Sequence, residues 1–528
     1  MKRWDDLLAG VPWQACPDRF QVPAADLAVT GIAHDSRRVQ PGDLFVAVRG
    51  HATDGNRFAA QAERAGAVAV VTDAPESLPP IRIPVGRVDD ARLALSRIAA
   101  SFYGHPAQRL TVVGVTGTLG KTSVTELVAA ILAKAGPAYE PGVVGSLGIR
   151  FRGQGRGSLL TTPDALTLQH TLAEMATAGV RVVVMEVTSH AQLQHRVSDV
   201  SFSLACLLNL VPGEHADIHP SFDHYAAVKL RILDQIRAGG VFLFNAQDPE
   251  VVRRLKPRLT RAPYRVAAVH AQPMGHEPAS GSRERHRPND VVPPGLYLDA
   301  STQGRLAFDV PGPLPTLEGE RPPVRFEAPW ALWGEQNRQN AAAATAIALA
   351  LGVEVEAIVA GLSSATPVRR RMEPVYRGAF QVLDDTTGHP ASFEALFRSL
   401  SAVPRQGVVL LTAVRGSRGE AVNRANARAI ARWAERLPVR AVVVTASAEA
   451  VHPKDTVRPE EWQAFREELV RAGVPAAYHM ELRQAVQAAV ETVRPGEILV
   501  LAGAQGLDGA TPILRTLLDG KAALPGLS

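Results

Sequence analysis

Between Thr111 and Ser123 the chain reads TVVGVTGTLGKTS, an apolar run, a loop containing Gly117 and Gly120, then Lys-Thr-Ser opening a helical pattern. Glycines let a backbone wrap closely around a phosphate, and a helix N-terminus offers free N–H donors and a partial positive charge. Lys121 can reach the outer phosphates of a nucleotide, and the Thr122 hydroxyl can ligate Mg²⁺. The spacing departs from G-x-x-x-x-G-K-[ST], because Val115 stands at the first glycine position. Only seven of the 57 cationic residues are lysine, so a lysine in such a setting carries weight.

Further along, Glu186 ends the apolar run RVVVM and heads Glu-Val-Thr-Ser-His. An acid at the carboxyl end of a parallel strand sits where such sheets bind ligands, and there it can hold a metal directly or through water. A second apolar run leads into NLVPGEHADIHPSFDHYAAVKLRI, where His215, Asp217 and His219 alternate and Lys229 falls on the next helix. By residue type alone this cluster reads equally as a loop or a metal site. A neutral lysine amine that adds carbon dioxide becomes a carbamate, which would give a second cation an anionic ligand.

These groups need a scaffold, and the pattern supplies one. Residues 27–74 alternate short apolar runs with turns, which predicts a small α/β unit ending near Gln108. From Leu110, strands alternate with helices through Arg181–Val187, Phe202–Leu210 and Gly240–Asn245, which means a largely parallel sheet covered on both faces. Residues 265–328 are rich in Pro, Gly, His and Arg and read as a long irregular excursion. Asn340–Leu351, NAAAATAIALAL, predicts a buried helix. Strands at Gly407–Thr412, Ala441–Thr445 and Glu497–Ala502 then predict a third, doubly wound unit from Arg369 onward. The expected domains are 1–108, 109–368 and 369–528, an α/β class throughout.

Composition narrows the class. Apolar residues at 46% and charged residues at 21% match a globular chain. Two cysteines, Cys16 and Cys206, exclude a disulfide scaffold and fit a reducing cytoplasm. The N-terminus MKRWDDLLAG puts acids where a signal peptide needs an apolar core, and no apolar run is long enough to span a bilayer. A net charge of +5 from scattered arginines argues against a nucleic-acid surface. The expectation is a cytoplasmic protein without membrane insertion, acting as a monomer.

Taken together, these stretches resemble the Mur ligases of peptidoglycan synthesis, in particular the tripeptide-synthetase (MurE) type, from about Gly31 to Gly503. The family loop T-G-T-x-G-K-[ST] matches Thr116–Thr122 and accounts for the missing first glycine. The resemblance implies a three-domain architecture: a UDP-sugar-binding N-terminal domain, a phosphate-loop central domain on a parallel sheet, and a Rossmann-like C-terminal domain for the amino acid. It implies ATP and Mg²⁺ as cofactors, with Gly117, Thr118, Leu119, Gly120, Lys121, Thr122, Ser123, Asn340, Arg371 and Asp385 around the nucleotide. Metal ligands fall on Thr122, Glu186, His215 and a carbamylated Lys229, with the family's fourteen-residue offset from His215 to Lys229 preserved. Catalytic weight would rest on Lys121, His215 and Lys229. Ser36, Thr161, Thr162, Thr188, Gln194 and Arg196 would contact a UDP-N-acetylmuramoyl peptide, and Arg418 would hold the carboxylate of the incoming amino acid.

The implied reaction adds an amino acid to UDP-N-acetylmuramoyl-dipeptide through an acyl phosphate. Alternatives are a paralogous ATP-dependent ligase joining a different carboxylate and amine, or a non-catalytic relative. The departures concern the amine side. Leu119 stands where the family has Asn, which predicts a lost polar contact near the nucleotide. Leu383–Pro390 has the Asp-Asp…His-Pro spacing of the alanine-adding Mur ligase. The Asp-Asn-Pro-Arg motif that selects diaminopimelate is replaced by Thr445–Ala450, TASAEA, so diaminopimelate is not the expected substrate.

Overall fold

The computed structural model describes residues 1–50, 53–212, 218–259, 262–271, 295–299, 304–401, 403 and 405–522. Three large sheets follow one another along the described residues. The first has five strands, β1 (Trp13–Ala15), β2 (Gly31–Ala33), β3 (Asp43–Ala47), β4 (Ala69–Thr72) and β5 (Val85–Val88), in the order β1-β5-β4-β3-β2. Every residue of β3 and β4 is buried, as expected of central parallel strands covered on both faces.

The second sheet has eleven strands. They are β6 (Thr111–Thr116), β7 (Pro141–Gly145), β8 (Gly148–Phe151), β9 (Gln154–Arg156), β10 (Val182–Glu186), β11 (Phe202–Leu207), β12 (Ile236–Asn245), β13 (Arg265–Ala271), β14 (Gly295–Asp299), β15 (Arg305–Val310) and β16 (Val324–Pro329). Their order is β9-β8-β7-β10-β6-β11-β12-β13-β14-β15-β16, parallel from β7 through β14 and antiparallel at both ends. Val113 and Val115 face one core and Val112 the other, the period-two alternation of a strand buried on both sides. On the first face pack α1 (Lys121–Lys134), α3 (Glu335–Ala350) and α4 (Val355–Ser363); α2 (Phe222–Leu230) covers the other.

The third sheet has six strands, β17 (Glu373–Arg377), β18 (Gln381–Asp385), β19 (Val408–Ala413), β20 (Val439–Thr445), β21 (Ala476–His479) and β22 (Ile498–Ala502), ordered β17-β18-β22-β19-β20-β21. Helices α5 (Pro390–Ser401), α6 (Glu420–Ala434) and α7 (Leu482–Thr492) cover its faces. Among the described residues no helix is long and apolar enough to cross a membrane.

One sequence expectation is corrected. The described parts of 265–328 are not irregular, for β13–β16 extend the central sheet there, with Leu306, Phe308 and Val310 pointing into its core. The Pro, Gly, His and Arg residues that suggested irregularity concentrate in 272–294, outside the described residues, while the flanks alternate apolar and polar side chains.

The position of α1, which carries the lysine of the glycine loop, depends on close approach to α4. A Cβ added at Gly361 in α4 would lie 2.4 Å from the Ile131 Cα and 2.9 Å from its N. Gly361→Ala is therefore expected to destabilise the protein by roughly 1–3 kcal/mol, although alanine normally gains about 1 kcal/mol over glycine in a helix. Thermal unfolding followed by circular dichroism reads the sign, and a raised Tm would mean that the helices part without cost.

Candidate active site

The carboxyl ends of the parallel strands converge. Glu186 pairs in register with Val115, and Thr116 with Leu207, so the glycine loop, Glu186 and the segment after β11 emerge side by side. Gly117 and Gly120 have φ of +149° and +88°, where side-chain-bearing residues are strained. A Cβ on Gly120 would also lie 2.4 Å from Asn340 Oδ1, so its absence lets α3 approach the loop.

Lys121 Nζ donates to the carbonyls of Gly117 (2.9 Å) and Thr118 (3.0 Å). Lys229 Nζ donates to the same Gly117 oxygen at 2.8 Å, with its ammonium 5.0 Å from the Tyr225 ring centroid. At 2% exposure Lys229 is a fully buried lysine, rare unless partnered. The Tyr225 hydroxyl lies 2.9 Å from Thr118 Oγ1, which also accepts from Val211 N–H at 2.9 Å. Thr122 Oγ1 donates to Glu186 Oε2 at 3.0 Å, and Glu186 Oε1 accepts from Ser146 N–H at 2.7 Å.

Around this nucleus lies an open cleft between the central and third sheets. It brings together Thr118–Ser123, Glu186, Thr161, Thr188, Arg196, Asn340, Arg371 and Asp385 from the residues singled out in the sequence. Thr162 lies just behind, its Oγ1 donating to Glu186 O (2.8 Å) and 3.3 Å from Thr188 Oγ1. Arg196 donates to Thr162 O at 2.8 Å and to Gln194 Oε1 at 2.6 Å. Burial lowers the pKa of Arg196 from the usual arginine value, partly offset by Asp164. Asp385 accepts from Met372 N–H at 2.9 Å and from the Thr387 hydroxyl, and burial pushes its carboxyl up against the opposing pull of Thr387 and Arg371.

Ser36 and Arg418 lie elsewhere. Ser36 is in the N-terminal sheet region, donating to Gln61 Oε1 at 3.1 Å. Arg418 does not line the cleft; its main-chain N–H donates to Glu461 Oε1 at 2.8 Å and its guanidinium lies 3.8 Å from Asp455. Glu461 also collects the N–H groups of Ser417, Gly419 and Arg458, which hold it below the usual glutamate range despite its burial. The same loop instead presents Arg415 to the cleft. His215, with Asp217, lies outside the described residues. His219 is buried, with Nε2 3.1 Å from Ser189 Oγ and Nδ1 3.0 Å from His224 Nδ1.

Sequence reasoning missed Asn209. Its Oδ1 accepts from Leu119 N–H at 2.8 Å and its Nδ2 donates to Leu119 O at 3.1 Å, while its own carbonyl accepts from Thr118 N–H at 3.1 Å. The polar contact expected to be lost with Leu119 concerned a side chain; the structure holds that position by its backbone. Asn-Leu directly after a buried strand was the available signal.

The comparisons agree with this geometry. The model of the Mur ligase middle domain matches residues 115–273, that of the Mur ligase family catalytic domain 28–103, and that of the Mur ligase glutamate ligase domain 370–505. A UDP-N-acetylmuramoyl-L-alanyl-D-glutamate–2,6-diaminopimelate ligase of Gloeobacter violaceus is 32% identical over 486 residues, covering 90% of this chain and 89% of the relative. The chain belongs to the Mur ligase family. Within it, a UDP-N-acetylmuramyl-tripeptide synthetase of a Roseiflexus species is also 32% identical, over 93% of this chain and 92% of its own. Among solved structures, MurF of Acinetobacter baumannii shares the fold at a TM-score of 0.63 and 21% identity, covering 98% of this chain and 99% of that one. MurF of Thermotoga maritima, solved in complex with ADP, matches at a TM-score of 0.60 and 17% identity over 94% of this chain and 100% of its own.

The Asn209 clamp yields a test. Asn209→Ala strands the N–H and carbonyl of Leu119, and losing such a pair costs about 1–3 kcal/mol. Calorimetric titration with ADP is expected to show affinity falling about tenfold, equivalent to roughly 1.4 kcal/mol. Unchanged affinity would mean that the loop keeps its shape without the clamp.

Proposed function

We propose that this protein is an ATP-dependent ligase that joins an amino acid to the peptide carboxylate of UDP-N-acetylmuramoyl-dipeptide. The observation that carries the reading is the single cleft that holds the glycine loop, Glu186, the Thr161–Thr188–Arg196 wall and the Asn340–Arg371–Asp385 wall. Kinship with named tripeptide synthetases and diaminopimelate ligases over nine-tenths of the chain supports the choice of nucleotide sugar.

In this reading a substrate carboxylate oxygen attacks the γ-phosphorus of ATP, ADP leaves, and an acyl phosphate results. An amine then attacks the acyl carbon, phosphate leaves, and the amide forms as the nitrogen gives up its proton. Charge spreads over the transferring phosphoryl oxygens, so the protein contributes chiefly placement and fixed positive charge. Lys121 would move from the loop carbonyls onto the outer phosphates, and the N–H groups at the start of α1 would face them. Asn340, Arg371 and Asp385 would hold the nucleoside side of ATP. Thr161, Thr162, Thr188, Gln194 and Arg196 would orient the muramoyl peptide, with Ser36 contributing from the N-terminal domain to the uridine end.

Thr122 Oγ1 and Glu186 Oε2, 3.0 Å apart in the cleft, are the hard oxygen donors that Mg²⁺ prefers. When bound there, the ion would neutralise phosphate charge. His215 and a carbamylated Lys229 would make a second such site; the burial of Lys229 against Gly117 supports its closeness to the reacting phosphates. The domains would be 1–108 for the UDP sugar, 109–368 for ATP and 369–528 for the amino acid, in a cytoplasmic enzyme.

Two variants test the proposal. Lys121→Ala is expected to abolish ATP-dependent phosphate release while leaving the far-ultraviolet spectrum and Tm near those of the unaltered protein. Near-normal turnover in a folded variant would remove the phosphate role. Lys229→Ala is expected to lose activity and regain part of it in high formate, which restores an anion where the carbamate would stand. Inactivity at every formate concentration, with no carbamate carbon signal in the NMR spectrum of the unaltered chain in isotope-labelled bicarbonate, would refute the carbamate.

A further inference from the structure

Between Gln194 and Arg196, two residues of the wall assigned to the muramoyl peptide, stands His195. The short helix Ser189–Leu193 ends there in a left-handed turn, in which His195 N–H donates to Gln192 O at 3.4 Å and Arg196 N–H to Ala191 O at 2.9 Å. His195 has φ +55°, at the position that glycine takes most freely in such helix endings. A larger residue in that conformation persists where its surroundings compensate it.

The imidazole has contacts in two directions. Nδ1 lies 3.0 Å from Ser198 Oγ, within the same segment. Nε2 lies 3.6 Å from Asp90 Oδ2, across the junction with the N-terminal domain. Asp90 caps the helix Ala91–Phe102, its Oδ1 accepting from the N–H groups of Arg92 (2.8 Å) and Leu93 (2.9 Å), which leaves Oδ2 turned to the ring. Burial holds the His195 imidazole below the usual histidine range, with Asp90 opposing that fall and Arg231, Arg92 and Arg97 adding to it. A neutral imidazole carries one ring proton; the carboxylate draws it to Nε2, and Nδ1 then accepts from the Ser198 hydroxyl.

This contact joins the two parts of the molecule that a nucleotide sugar would touch. On the central side, the Arg196 guanidinium reaches Thr162 O and Gln194 Oε1. On the other side, Ala94 and Ile98 of the helix capped by Asp90 share an apolar cluster with Leu44 and Val46 of β3, in the domain that carries Ser36. Leu166 of the central domain packs against that cluster, and the Tyr103 and His170 rings meet across the junction with centroids 5.3 Å apart. His195 and Asp90 add a polar contact to this apolar seam, at the point where the seam meets the peptide wall.

We infer that His195 is a positioning residue, which through Asp90 sets the N-terminal domain at a fixed place relative to the Gln194–Arg196 wall. A nucleotide sugar held by its uridine end then presents its peptide to the cleft. A ligand that touches both domains gains affinity when they are held at the matching separation, and a ligand bound away from the junction does not. The inference rests on the proposed ligase reading, which supplies the two-ended ligand.

Calorimetric titration with UDP-N-acetylmuramoyl-L-alanyl-D-glutamate, with ADP as the control ligand, tests it. Failure of the unaltered protein to bind the nucleotide sugar overturns the ligase reading and this inference with it. Given binding, His195→Gly keeps the left-handed turn and removes the ring. Its Kd for the nucleotide sugar is expected to rise about fivefold, while that for ADP stays within about twofold. Asp90→Asn keeps the helix cap through Oδ1 and sets an amide N–H against Nε2–H, so the same selective loss is expected. The double variant is expected to bind no more weakly than either single one, as befits one shared contact. Unchanged nucleotide-sugar affinity in either single variant, equal weakening of both ligands, or additive losses in the double variant would overturn the inference alone.

Discussion

One carbonyl oxygen organises the centre of this molecule. Gly117 O accepts from both Lys121 and Lys229, one lysine from the helix that starts at the loop and one 112 residues beyond the glycine. Burying an ammonium is costly unless it is hydrogen-bonded, so the folded chain must keep Gly117 turned toward Lys229. The Tyr225 ring under that ammonium and the Tyr225 hydroxyl beside Thr118 fasten the same helix to the same loop. A loop built from left-handed glycines has many conformations open to it, and these contacts select one.

The loop is held from the other side by an amide. Asn209 engages both backbone groups of Leu119, so residue 119 contributes shape through its main chain and its side-chain identity is released from that duty. The third sheet shows a comparable economy. The Arg370 guanidinium, buried against Asp384, Asp508 and the Gly503 carbonyl, ties the end of β18 to the end of β22, and Arg371 next to it is left facing the cleft. Glu461 gathers the backbone N–H groups of Ser417, Arg418 and Gly419 together with that of Arg458 at the start of its own helix, and in the loop so held Arg415 rather than Arg418 lines the cleft.

Family kinship and local geometry bear on different halves of the cleft. The loop, Glu186 and Lys229 lie where the sequence resembles the family's motifs. The third-sheet wall keeps the fold while changing the side chains, and Gly388, Ala504 and Ser447 show how such a change is accommodated, by small residues packed against an arginine or against backbone.

What the sequence by itself determined is what depends on contiguous residues. The loop Thr116–Thr122, the acid ending β10, the buried helix expected over Asn340–Leu351 and found at Glu335–Ala350, and the alternating strands were legible because glycine conformation, hydrophobic period and helix-start chemistry act over a few residues. Composition misled at 265–328 because a proline- and glycine-rich centre outweighed flanks whose alternation marks strands. Only the tertiary structure decided which distant groups meet. Asn209 reaches Leu119 across 90 positions, and Arg415 rather than Arg418 faces the cleft because a glutamate 43 residues beyond Arg418 pins the loop. Such pairings follow from strand order and helix packing, which place residues near one another irrespective of their separation along the chain.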